Sequence, residues 1–191
     1  MENENKNKNK NEDIGLNEKL LKTRSLLISG EINKDAADSF ARQILVLDSE
    51  SQEPIVVYIN SPGGDVDAGF AIYDMIRYVA SPVKIVGMGL VASAAALIYL
   101  AVPAERRFAL ENSTYLIHQP LSEMKGVAID ISIYADKIED LRKKLDQLIA
   151  NATGNTLEKV SEDTERDYWM GAEEAKNYGL VGKIIKSKCE L

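Results

Sequence analysis

Histidine and cysteine are almost missing from this chain. One of each, His118 and Cys189, stands among 191 residues. A lone cysteine closes no disulfide within the chain, which fits a reducing compartment. One histidine and one cysteine supply neither a His-rich nor a thiolate cluster, so no metal site is expected. Positive charge is in deficit, with 23 Lys and Arg against 30 Asp and Glu, a net charge of −7. Nucleic acids and anionic membranes select basic surfaces, so neither is expected as a partner. Long apolar runs are lacking too. The longest, Leu90 to Val102, is broken by Ser93 and Tyr99 and falls well short of the roughly 20 residues that span a bilayer. Neither Walker nor Rossmann glycine spacing is present, so no loop is built to cradle a nucleotide. The opening MENENKNKNKNEDIG lacks the apolar core of a signal peptide. It buries too little to offset its ordering entropy, so disorder is expected over residues 1–15. These absences together predict a soluble cytoplasmic protein.

The remainder, 16–191, has the apolar content for one domain, since 45% of the whole chain is hydrophobic. Residues 25–30, 54–60 and 83–89 read as strands, and 33–49 and 66–79 as helices, with Asn33 a plausible N-cap. SPGGD (61–65) reads as a turn and 90–102 as an apolar helix. Short strands are expected over 106–110, 114–118 and 180–186. Helices are expected near 127–151, 155–164 and 171–178, and a helix or extended lead-in over 16–24. Continuous apolar strands alternating with helices predict an α/β fold, its parallel sheet covered on both faces.

Two local features could carry chemistry. Ser93 stands among Gly89, Ala92, Ala94, Ala95 and Ala96, at the mouth of a predicted helix. Small neighbours admit a substrate, and the free N–H groups of a first helical turn favour developing negative charge. A serine there equally serves as an N-cap. Gly63 and Gly64 can take positive φ and present bare N–H groups, or simply make a tight turn. His118, at the end of TYLIH, could be a structural histidine or the general base of a serine nucleophile.

Larger segments carry more information than these parts. YINSPGGDVDAGFAIYDMI (58–76), GMGLVASAAALI (87–98), RRFALENSTYLIHQPL (106–121) and EDTERDYWMGAEEAKNYGLV (162–181) resemble the ClpP family, the proteolytic subunits of the Clp protease. The resemblance runs from about Leu20 to Ile185. It implies the crotonase-like spiral of ββα units with a protruding handle helix, and a serine endopeptidase. Ser93 would be the nucleophile, His118 the general base and Asp167 the group that orients the imidazole. The N–H groups of Gly64 and Ala94 would form the oxyanion hole. Ala94 replaces a methionine usual in the family.

The same resemblance implies two stacked heptameric rings, or rings mixed with another ClpP. Unfolded substrates would be delivered by an AAA+ unfoldase such as ClpX, ClpA or ClpC. ATP would be consumed by that partner, and no cofactor is implied for this chain. Gly126 to Leu148 would be the handle that joins the rings, with Lys137, Glu139 and Asp140 on a solvated face. Arg166 would couple ring contact to the active form. Unfoldase docking would fall to Leu45, Tyr58, Tyr78, Met88, Phe108, Leu110 and Ile185. Ser122-Glu123 replaces a glycine pair, and the polar N-terminal segment replaces an apolar axial loop. Both departures point to a divergent paralogue that works with another ClpP. Other readings are a catalytically silent ring subunit, a crotonase-type acyl-CoA enzyme needing no Ser-His pair, and a signal-peptide peptidase, which would use a Ser-Lys pair.

Overall fold

Asn33 ends an extended stretch, and its side chain accepts from the Ala36 N–H at 2.9 Å, so the chain turns into a helix there. Asp65 does the same for Ala68 at 2.7 Å. These caps divide the first half into repeated strand–helix units, as the apolar runs predict. The computed structural model describes residues 15–191. The disorder expected over 1–15 falls outside the described residues except at Gly15, which is helical. The elements in chain order are α1 (15–22), β1 (Ser25–Ile32), α2 (Lys34–Glu50), β2 (Ile55–Gly64), α3 (Val66–Tyr78), β3 (Val83–Ala92) and α4 (Ala94–Tyr99). Then follow β4 (Arg107–Leu110), β5 (Thr114–Ile117), α5 (Ala128–Thr153), α6 (Leu157–Asp163), β6 (Tyr168–Gly171), α7 (Ala172–Tyr178) and β7 (Lys183–Ile185).

The main sheet runs β1-β2-β3-β4-β7, all parallel. β3 is a fork. Its first half, Ile85 to Gly87, pairs with β4, and its second half, Leu90 to Ala92, pairs with β5. Gly89, at φ +58°, stands between them, and Asn60 Oδ1 accepts the Leu90 N–H at 3.1 Å across the bend. β5 then pairs antiparallel with β6, so the sheet winds into the spiral that the resemblance implied.

Helices α2, α3 and α4 pack on one face of the sheet, against Leu26, Ile28, Ile55, Val57, Ile59 and Ile85. Each such side chain contributes about 1.5–3 kcal/mol on burial. The opposite face carries a small separate cluster of Val86, Phe108 and Ile185, with Val56, Tyr58 and Leu191 half-buried against it. The cover expected on both faces is thus made by helices on one and by this thin cluster on the other.

Three expectations are corrected. SPGG does not leave the sheet, since β2 continues through Gly64 with a register shift between Ile59 and Ser61. The stretch from Leu90 is not all helix, because Leu90 to Ala92 belong to β3 and α4 spans only Ala94–Tyr99. Strand β6 was not expected at all.

Candidate active site

The end of β3 positions Ser93. Its N–H donates to Leu116 O of β5 at 2.9 Å, which continues the β3–β5 ladder by one residue. Its backbone sits at φ +56°, ψ −121°, a conformation that non-glycine residues seldom adopt. That sharp bend between strand and helix lifts the side chain off the sheet. Ser93 stands at the N-cap of α4 yet makes no side-chain cap bond. Its Oγ instead lies 2.8 Å from His118 Nε2. The capping reading of Ser93 is therefore not what the structure shows.

His118 follows β5 directly, and the register of β5 on β6 decides what faces it. Ile117 pairs with Tyr168, so the next residues outward on the two strands are His118 and Asp167. His118 Nδ1 lies 3.0 Å from Asp167 Oδ1. Residues far apart in sequence are thus brought together by one antiparallel pair. The His118 side chain is 14% exposed and that of Asp167 59% exposed, so the row runs from the interior toward solvent. Arg166, next to Asp167, is exposed.

The Gly63-Gly64 strand lies flat against the serine. Gly63 has φ +91° and Gly64 φ +147°. A Cβ added at Gly63 would lie 2.7 Å from Ser93 Cβ and 2.9 Å from Ala94 N, so only a bare backbone fits there. One added at Gly64 would run into the backbone of Ile32. In the ladder to β1 it is the Asp65 N–H that donates to Ile32 O, at 2.8 Å. The Ala94 N–H, in the first turn of α4, has no intrahelical acceptor. Beside Ser93 and His118 opens a narrow pocket with an apolar wall of Val66, Leu97, Ile117 and Ile149.

A support behind the site was missed by sequence reasoning. Asp146 on α5 is 4% exposed and accepts from Thr164 Oγ1 at 2.7 Å. Thr164 O accepts the Gln119 N–H at 2.7 Å, and Glu165 O accepts from Gln119 Nε2 at 2.6 Å. The loop carrying Asp167 is thereby tied to the residue after His118 and to α5. The available signal was a carboxylate on the same helical face as Ile149 and Ala150.

The predicted docking residues divide. Sheet register puts Tyr58 beside Val86, Val86 beside Phe108, and Leu110 beside Ile185, all on the outer face, with Met88 two residues beyond Val86. Phe108 and Ile185 are buried there, Tyr58 and Met88 half-buried and Leu110 exposed. Leu45 and Tyr78 do not join them. They lie exposed on α2 and α3, in the layer on the other side of the sheet. Within one subunit, a parallel sheet separates what its two faces carry.

Comparisons with known proteins give the family. A family model described as Clp protease matches residues 7–188. The chain belongs to the Clp protease family. It is 51% identical to the ATP-dependent Clp protease proteolytic subunit 2 of Treponema denticola over 190 residues, covering 99% of this chain and 95% of that one. It is 50% identical to the proteolytic subunit 2 of Borreliella burgdorferi, covering 90% and 87%. The solved structure of ClpP1 from Listeria monocytogenes superposes with a TM-score of 0.84 at 44% identity, covering 92% and 99%. The Clp protease chain described here is thus a proteolytic subunit with serine endopeptidase activity. Among the described residues, no helix is long and apolar enough to cross a membrane.

Proposed function

We propose that Ser93, His118 and Asp167 are the catalytic triad of this subunit. The observation that carries the reading is the unbroken row from Ser93 Oγ to His118 Nε2 at 2.8 Å and from His118 Nδ1 to Asp167 Oδ1 at 3.0 Å. His118 takes the hydroxyl proton as Ser93 Oγ attacks a peptide carbonyl. Asp167 accepts from Nδ1–H, fixing the tautomer and stabilising the imidazolium that forms. The tetrahedral oxyanion is received by the N–H groups of Gly64 and Ala94. His118 then returns the proton to the departing amine, and water cleaves the acyl-enzyme by the same steps in reverse. The apolar wall of Val66, Leu97 and Ile149 receives an apolar substrate side chain. The proton transfers need no metal or organic cofactor, and ATP is consumed by a partner.

The reading extends to the assembly. Two stacked heptamers enclose the sites, and an AAA+ unfoldase delivers unfolded chains through the axial openings, in the cytoplasm. Exposed Val127, Ile129, Ile131 and Ile133 at the start of α5 suit it to joining rings. The outer-face cluster with Tyr58, Phe108 and Leu110 suits a docking surface. Relatives named proteolytic subunit 2 or 3 support a place among several ClpP chains, in rings mixed with another ClpP. A fluorophosphonate probe tests the chemistry. Covalent labelling that maps to Ser93, and is lost in His118→Ala, supports the triad; labelling elsewhere contradicts it.

A further inference from the structure

The outer face of the sheet already has an occupant. Leu191 packs on the cluster of Val86, Phe108 and Ile185, beside Val56 and Tyr58. The segment that brings it there is built rather than draped. Residues Lys188–Glu190 form a 3-10 turn with a reciprocal capping box. Ser187 Oγ accepts the Cys189 N–H at 3.3 Å. Glu190 Oε1 accepts the Lys186 and Ser187 N–H groups at 2.8 and 2.9 Å. Two lysines of the sheet then hold the main chain of the segment. Lys183 Nζ of β7 donates to Glu190 O at 3.3 Å, and Lys84 Nζ of β3 donates to Leu191 O. Lys84 stands opposite Val56 in the register, so the cation and the apolar floor belong to one groove.

We infer that residues 187–191 are an autoinhibitory plug. They seat Leu191 in the outer-face groove and compete with whatever docks there. The seated segment also shows the chemistry the groove accepts, an aliphatic side chain with a main-chain oxygen for Lys84. Any partner loop must offer the same pair and displace Leu191 first. The inference rests on the docking reading of this face given above. A single half-buried leucine on an open groove is held only moderately, so the open form is populated. Apparent affinity for a partner falls by the open fraction, and removing the plug should raise it by about threefold to thirtyfold.

Cys189 gives a direct probe, being the only cysteine in the chain and exposed. A nitroxide placed on it reports motion of the segment. The proposal expects an immobilised spectrum for the full chain and a mobile one for Leu191→Ser. It also expects Leu191→Ser to lower the AAA+ unfoldase concentration that half-saturates protein degradation by threefold or more. Equal mobility in the two proteins overturns the plug. Release without any change in half-saturation overturns the competition. In that case Tyr58→Ser shows whether the docking reading fails as well. If Tyr58→Ser abolishes unfoldase dependence, only the competition has failed; if it leaves it intact, the face is not the docking surface.

Discussion

Ser93 occupies a strained backbone position and spends its hydroxyl on His118 rather than on a helix cap. A structural serine at that site has no reason to forgo the cap. Strain of this kind costs about 1–3 kcal/mol and persists where the surroundings fix it. Ser93→Ala should therefore leave the fold intact and lower kcat for a short peptide by at least about a thousandfold. Asp167→Asn keeps the geometry but lets the imidazole adopt the wrong tautomer. A loss in kcat of about a thousandfold to ten-thousandfold is expected, with KM little changed, read by steady-state kinetics. Gly64→Ala should fail differently. Its Cβ would meet the Ile32 backbone, so both thermal stability and kcat fall together. At this scale the sequence made the candidates visible but not their alignment. Ser93, Gly64 and His118 stand out by their neighbours. Asp167 is one carboxylate among many, and only the resemblance singled it out before the β5–β6 register explained it.

Elements join these residues into a site, and here the sequence was less legible. β6 has four residues, too few for a period to show, and it is the strand that delivers Asp167. The glycines of β2 and Leu90 to Ala92 at the end of β3 looked like turn and helix because pairing with neighbours, not local preference, keeps those backbones extended. The link from α5 to the site also depends on contacts distant in sequence. Asp146 holds Thr164, and Thr164 holds Gln119. Asp146→Ala should loosen the Asp167 loop, lowering kcat about tenfold, with Asp146→Asn retaining most of it because an amide oxygen still accepts the Thr164 hydroxyl. A second tie acts on stability alone. Asp48 of α2 accepts the Ser81 hydroxyl and N–H at 2.7 and 2.8 Å ahead of β3. The Ser81 side chain first, then its backbone, hold the Asp48 carboxyl below its usual range. A lowered carboxylate stabilises the fold above its ordinary value and loses that contribution as pH falls through the lowered one. Melting curves of Asp48→Asn should show a lower Tm at neutral pH and a smaller loss of Tm in acid.

The whole molecule shows surfaces that one subunit leaves unfinished. Isoleucines stand out to solvent at the start of α5, and Leu45 and Tyr78 are exposed on the helical layer. Exposed large apolar side chains of this kind suit a protein that meets others. The α/β class and the alternation of strands and helices could be read from apolar runs alone. The one-sided helical cover of the sheet could not, because a strand's outward residues look the same whether a helix, another chain or Leu191 covers them. The central claim is that this chain is a serine peptidase acting through Ser93 within a multi-subunit particle. Its most direct test is hydrolysis of a short fluorogenic peptide by wild type and Ser93→Ala, with particle mass measured on the same samples. The account predicts hydrolysis by a particle of about fourteen subunits, alone or mixed with a second ClpP. It predicts an equally sized but inactive Ser93→Ala particle when no other active chain is present. Hydrolysis that survives Ser93→Ala in a pure sample would contradict it.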